Sequence, residues 1–183
     1  MKDKKVRALC EGAIAVAAGM ALGYVKLFEF PQGGCVSIGM LPIFIYCIRW
    51  GAKQGFVCTF ALGLLQLLLD GAYAWGPTSM LFDYLLAYGV LGTAGLFRGV
   101  RGGVFVGTVV GCVCRFVMHF ISGVTIYRIY EPTALFNTVM ANPYIYSAAY
   151  NGSFMAVDMV LCLAITAALF RPLRKYLLAE DLK

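Results

Sequence analysis

Long apolar runs alternate along the chain with short breaks that contain Gly, Pro or charged residues. The hydrocarbon core of a bilayer is about 30 Å thick, and a helix of about 20 residues crosses it. We therefore predict an all-α integral membrane protein in which residues 1–183 form a single transmembrane domain. About six transmembrane helices are predicted, at Arg7–Phe28, Val36–Ile48, Gln54–Leu69, Ser79–Phe97, Gly103–Thr125 and Tyr144–Phe170. The second and third runs are short for complete crossings.

The composition agrees with a membrane protein. The chain is 61% hydrophobic and 13% charged, with a mean hydropathy of +0.81, whereas soluble domains are about half apolar and a quarter charged. The first run follows a basic stretch, as in a signal peptide, but Glu11 interrupts it and five more runs follow, so we predict a retained helix. The seven cysteines lie mostly within the runs, which favours small apolar core residues over disulfides or metal ligands.

The distribution of basic residues predicts an orientation. Cytoplasmic loops of membrane proteins are enriched in Lys and Arg, and six spans place both termini on one side. With the termini in the cytoplasm, twelve of the fifteen basic residues lie inside, namely Lys2, Lys4, Lys5, Arg7, Arg49, Lys53, Arg98, Arg101, Arg171, Arg174, Lys175 and Lys183. We therefore expect a multi-pass protein of the plasma membrane with both termini cytoplasmic. No basic stripe remains that would indicate nucleic-acid binding.

Several sequence motifs of enzymes are absent. The chain has no GxxxxGKS/T phosphate loop, no HExxH and no GxSxG, and it has one histidine. These motifs supply a phosphate cradle, a zinc site and an activated serine, respectively. We therefore predict that the chain is not an enzyme, holds no resident cofactor or metal, and does not hydrolyse ATP itself.

A few polar residues lie within the predicted spans, where they are costly and usually functional. The topology places Asp83 one turn into span four from the outside, and His119 one to two turns from the outer end of span five. Tyr146 and Asn151 enter at a similar depth on span six. Two plainer interpretations remain open, because Asp83 also suits the first turn of a helix and His119 also suits a neutral, hydrogen-bonded core position.

Aromatic side chains surround this outer layer. Tyr84 and Tyr150 adjoin the polar candidates, and an anionic group among aromatic faces suits a flat organic cation. Trp75 and Tyr130 are better explained as an interfacial aromatic belt.

Two further patterns concern packing within the bilayer. Arg115 and His119 are four residues apart and share a helical face, and we expect Arg115 to form a structural ion pair, with Asp158 as one candidate partner. Small residues recur at steps of four on span one, at Ala13, Ala17 and Ala21. Such a ridge permits close helix contact, either within the chain or with another membrane protein.

Four segments in order resemble a known family. They are Ser37–Ile43 (SIGMLPI), Asp83–Ala87 (DYLLA), Arg115–Val124 (RFVMHFISGV) and Tyr146–Ser153 (YSAAYNGS). The chain is similar, over nearly its whole length, to the thiamine-specific S components (the ThiT/YuaJ family) of energy-coupling factor (ECF) vitamin importers. This resemblance implies a six-helix subunit that binds thiamine from outside. It also implies partners, namely a transmembrane coupling protein and two ATPase subunits.

The resemblance also implies site residues. With the adjoining tyrosines, the expected ligand-binding set is Asp83, Tyr84, His119, Gly123, Tyr127, Tyr146, Tyr150 and Asn151. Family members usually have glutamate where Asp83 stands and tryptophan where Tyr127 stands. The alanine ridge of span one resembles the docking surface for the coupling protein. The loop Glu29–Val36, with its Pro-Gln-Gly-Gly run, is predicted to act as a lid.

Three alternatives remain open at this point. The ligand can be another small vitamin or precursor, such as hydroxymethylpyrimidine. Asp83 and His119 can instead form the acid–base pair of a membrane enzyme. The chain can also be a structural subunit with no ligand.

Overall fold

The computed structural model describes residues 2–30, 34–70, 76–130, 134–135, 138–140 and 142–182. The helices are α1 (Lys2–Tyr24), α2 (Leu41–Trp50), α3 (Ala52–Asp70), α4 (Pro77–Phe97), α5 (Gly103–Tyr130), α6 (Pro143–Phe170) and α7 (Arg174–Leu177). A short turn of 3-10 helix follows at Glu180–Leu182. Two small antiparallel hairpins pair β1 (Phe28–Glu29) with β2 (Cys35–Val36) and β3 (Ala134–Leu135) with β4 (Thr138–Val139).

Each of the six predicted runs contains a helix, so the all-helical membrane fold is confirmed. Within the described residues, five helices are long and apolar enough to cross a bilayer: α1, α3, α4, α5 and α6. The third run is longer than predicted, because α3 has 19 residues. In contrast, α2 has ten residues, which at 1.5 Å per residue span about 15 Å, or half of the apolar core.

The predicted boundaries were wrong at several helix ends. The first helix ends at Tyr24 rather than Phe28, because the chain there enters the β1–β2 hairpin. The second begins at Leu41 rather than Val36, since Val36 belongs to β2 and a proline occupies the first turn of α2. The fifth continues to Tyr130 rather than Thr125.

Helix α4 changes its winding along its length. After one α-helical turn, residues Met80–Leu86 form a π-helix, and Val90–Phe97 form a 3-10 helix after a second short α-helical segment. The tighter end packs closely on the start of α3, where a Cβ on Gly95 would lie 2.5 Å from the backbone nitrogen of Ala52. Helix α5 packs closely as well, because a Cβ on Gly107 would lie 2.8 Å from the carbonyl oxygen of Ala94.

A charged cluster joins both termini at one end of the bundle. Arg49, which is fully buried at 0% exposure, donates from Nε to Glu11 (2.6 Å) and from Nη1 to Asp181 (2.6 Å). Arg7 pairs with Asp181 as well, at 2.5 Å. Arg49 was predicted in a cytoplasmic loop, but it lies in the last turn of α2. The two termini therefore lie at the same end of the bundle.

Candidate functional site

A cavity of about 150 Å³ lies at the end of the bundle opposite the termini, where α3, α4, α5 and α6 meet the first hairpin. Seven of the eight predicted ligand-binding residues line it: Asp83, Tyr84, His119, Gly123, Tyr146, Tyr150 and Asn151. They come from three helices whose outer ends were predicted at a common depth. The structure therefore brings these side chains together around one space.

Asp83 lies in the π-helical part of α4 and is held by three side chains. Its Oδ2 accepts hydrogen bonds from Ser79 Oγ at 2.6 Å and from Ser122 Oγ at 2.5 Å. Its Oδ1 lies 2.8 Å from Nδ1 of His119. A carboxylate oxygen has two lone pairs, so Oδ2 is fully used and Oδ1 keeps one acceptor direction. The side chain is 21% exposed and lines the cavity, so a ligand there can reach the carboxylate.

His119 uses both ring nitrogens within the protein. Its Nε2 lies 3.1 Å from Nε of Arg115, which always donates. Its Nδ1 therefore carries the proton and donates to Asp83. An edge of the imidazole meets Phe154 with ring centroids 5.7 Å apart. The group that His119 can still offer a ligand is its ring surface.

The candidate ion pair between Arg115 and Asp158 is not formed. The Arg115 guanidinium lies 4.1 Å above the ring of Tyr88, and no Arg115 ion pair occurs among the residues that the structure describes. Asp158 instead accepts a 2.9 Å hydrogen bond from the backbone N–H of Ser37. The spacing of four residues correctly predicted that Arg115 and His119 share a helical face. It could not predict the distance between Arg115 and Asp158, because they lie on different helices.

Asn151 joins α6 to α5 beside the cavity. Its Nδ2 donates to the carbonyl oxygen of His119 and to Ser147, each at 3.1 Å. Its amide oxygen accepts no hydrogen bond from the described part of the chain and is free for a ligand donor. Gly123 faces this amide, and a Cβ at that position would lie 2.8 Å from Nδ2. Glycine therefore permits the close contact between the two helices.

Tyrosine rings form one wall of the cavity. Tyr146 and Tyr150 stack with centroids 5.9 Å apart and an interplanar angle of 3°. Tyr127 does not line the cavity; it packs behind Tyr146 at 5.3 Å and donates a hydrogen bond to the carbonyl oxygen of Met140. Tyr84 on the opposite side donates to the carbonyl oxygen of Asp70 at 3.1 Å.

The first hairpin contacts the aromatic wall. The backbone N–H of Gly34 donates to the Tyr150 hydroxyl at 2.8 Å, and the ring of Phe30 meets Tyr150 edge-on at 5.7 Å. The middle of the predicted lid, residues 31–33, lies outside the described residues, as do Trp75 and the side chain of Tyr130.

Further lining residues were not predicted as site residues from the sequence. They are Gly34, Cys35, Gln66, Asp70, Ser79, Tyr88, Arg115, Ile126 and Phe154. Sequence spacing could have indicated two of these residues, Ser79 and Gln66. Ser79 precedes Asp83 by four residues, and Gln66 precedes Asp70 by four at the outer end of α3, so each pair shares a helical face.

The alanine ridge of α1 faces away from the rest of the chain. Ala13, Ala17 and Ala21 are exposed, whereas Gly12 and Gly19 are buried. Gly12 and Gly19 face inward, where a Cβ on either would lie 3.0 to 3.1 Å from Tyr46 or the Gly39 carbonyl oxygen. Intrachain packing therefore uses the glycines and leaves the alanines on the outer surface.

Comparison with known proteins identifies the family. A family model described as thiamine transporter protein (Thia_YuaJ) matches residues 9–178. The chain belongs to this family. It is therefore a member of a transporter family, and its membrane-length helices make it a multi-pass membrane protein.

Individual family members agree over nearly the full length. The chain is 30% identical to a protein named thiamine transporter ThiT from Bacillus subtilis, covering 92% of this chain and 93% of the relative. It is 26% identical to a ThiT from Lacticaseibacillus paracasei, with coverages of 98% and 94%. A solved structure of ThiT from Listeria monocytogenes has a TM-score of 0.82 at 22% identity, covering 95% of this chain and 98% of that one. This structural match supports the fold.

Proposed function

We propose that this chain is the thiamine-binding S component of an ECF importer, which captures thiamine at the outer side and performs no chemistry on it. The observation that carries this proposal is the Asp83 carboxylate, fixed by three hydrogen bonds at a cavity walled by aromatic rings. A flat cation fits these features, because the carboxylate offsets the positive charge and ring faces attract cations. Relatives named as thiamine transporters support the same ligand.

Each part of the site has a role in this proposal. Asp83 offers its remaining acceptor direction to the ligand, and the Asn151 amide oxygen accepts from a ligand N–H or O–H. Tyr146, Tyr150 and His119 supply flat surface. Tyr127 acts indirectly, because it packs against Tyr146 from behind. A site that combines apolar walls with a few fixed polar groups is typical of small-molecule pockets.

Uptake requires a partner module in this proposal. The sequence has no nucleotide-binding phosphate loop, so energy must come from other chains, namely a transmembrane coupling protein and two ATPase subunits. The exposed ridge of Ala13, Ala17 and Ala21 is the docking surface, since small residues allow a partner helix to approach closely. The termini and the Arg49 cluster then face the cytoplasm, and the cavity faces outward.

Ligand identification on purified protein tests the proposal. The chain is purified in detergent, the copurifying small molecules are identified by mass spectrometry, and the emptied protein is titrated with thiamine by calorimetry. We expect saturable binding of thiamine at one site per chain. Hydroxymethylpyrimidine is titrated in parallel, and tighter binding of that neutral precursor would transfer the proposal to the other ligand. Folded protein that binds neither compound would refute it.

A further inference from the structure

Arg115 places a positive charge at the cavity for which we propose a cationic ligand. It lines the cavity, forms no ion pair with Asp158, and lies with its guanidinium carbon 4.1 Å from the Tyr88 ring centroid. Its Nε points at Nε2 of His119 from 3.1 Å. A positive charge beside a cation-binding site repels the ligand. Its presence there calls for a second effect that favours binding. The contact with His119 supplies such an effect.

The effect of Arg115 on His119 follows from which nitrogen atoms of the two side chains carry protons. A guanidinium N–H only donates, so Nε2 of His119 must present a lone pair to Arg115. An imidazolium carries a proton on both nitrogens and would direct an N–H at the N–H of Arg115. The geometry therefore selects a neutral imidazole with its proton on Nδ1. That proton lies in the 2.8 Å contact with Asp83 Oδ1.

We propose that Arg115 is a positioning residue that keeps His119 neutral and Nδ1-protonated, so that no imidazolium compensates the charge of Asp83. This inference rests on the proposed binding of a cation at Asp83. The charged groups that face the imidazole are Asp83 from α4 and Arg115 from its own helix α5. From α6, the uncharged Phe154 meets the ring and Asn151 bonds the backbone of His119.

The protonation state of His119 can be measured without any ligand. His119 is the single histidine of the chain, so ¹⁵N-histidine labelling gives the NMR signals of one imidazole. The spectrum of the ligand-free protein is recorded at about pH 6, near the ordinary titration of histidine. We expect a protonated Nδ1 and a bare Nε2 in the wild type, and both nitrogens protonated in Arg115→Met. An imidazolium or an Nε2-protonated ring in the wild type would overturn the proposal, whether or not thiamine is the ligand.

Affinity measurements then test the consequence for binding. In Arg115→Met, thiamine affinity should fall by about tenfold, while a neutral analogue with carbon in place of the charged ring nitrogen should lose far less. Arg115→Lys, which keeps a cationic donor, should return both readouts toward the wild type. Arg128→Met, the same substitution at the outer end of the same helix, should change neither. Tighter thiamine binding by Arg115→Met would show that Arg115 only repels the ligand, and the proposal would fail.

Discussion

Replacement of Asp83 by asparagine is the sharpest test of the binding site, because it preserves volume and most hydrogen bonds. The asparagine oxygen can take the position of Oδ1 and accept from His119. Its amide nitrogen can take the position of Oδ2, where the hydroxyls of Ser79 and Ser122 can rotate to accept. The local fold should therefore survive. The substitution removes the negative charge.

The expected loss follows from that charge. Hydrogen bonds to charged groups contribute about 1.5 to 3 kcal/mol, which corresponds to roughly ten- to a hundredfold in affinity. We expect Asp83→Asn to weaken thiamine binding by at least this factor. A neutral analogue should lose far less affinity, because it lacks the Coulomb attraction between a cation and the Asp83 carboxylate.

The comparison is made by calorimetry or intrinsic fluorescence on detergent-solubilised protein, with thermal unfolding as the control for folding. Asp70→Asn is the matched variant, since Asp70 lines the same cavity but does not contact His119 or the two serines. If direct contact with the ligand matters more than the overall negative charge near the cavity, Asp70→Asn should reduce thiamine affinity less than Asp83→Asn does. Equal, small losses for charged and neutral ligands in folded Asp83→Asn would refute the reasoning. Asp83 would then be a structural carboxylate.

Three further outcomes are expected elsewhere in the chain. Ala17→Phe should leave thiamine binding unchanged and lower uptake severalfold in a reconstituted complex, whereas ATP-independent accumulation of thiamine by the purified chain in liposomes would contradict a partner requirement. Single cysteines at Lys4 and Lys175, in a background without native cysteines, should resist an impermeant reagent added outside intact cells, and labelling there would reverse the orientation. Arg49 holds the pKa of Asp181 well below its usual range. The stability from this contact should therefore persist above about pH 4 and disappear as the pH falls further. Asp181→Asn should lower the melting temperature at pH 7 by the equivalent of about 1 kcal/mol, since Asp181 is 36% exposed, and an unchanged melting temperature would contradict the contact.

The sequence predicted the spans well because bilayer thickness imposes a simple length rule. It predicted most of the cavity lining for a related reason: alternating spans place the outer ends of α4, α5 and α6 at one depth, so Asp83, His119 and Asn151 were expected in one layer. Depth alone does not say which side of a helix faces inward. That information came from the resemblance of the motifs to a family.

Rotation around a helix explains why Tyr127 lies behind the cavity wall. Eight residues separate it from His119, and eight steps of about 100° leave it about 80° away from the face of His119. Gly123, four residues from His119, stays closer to that face and lines the cavity. The partner of Asp158 was also out of reach, because it is the backbone of Ser37, whose position depends on an irregular segment before α2.

The π-helix around Asp83 makes the number of residues in this segment as important as their identity. A π-turn accommodates about one residue more than an α-turn. Deleting one residue between Met80 and Leu86 would return the segment to α-helical winding, so both flanks would keep about their present orientation while residues inside the segment change position. Asp83 lies inside the segment and would then leave the position at which it meets Ser79, Ser122 and His119. In alignments of relatives, a one-residue gap in this segment should therefore mark a change in ligand preference, even where every polar residue of the site is retained.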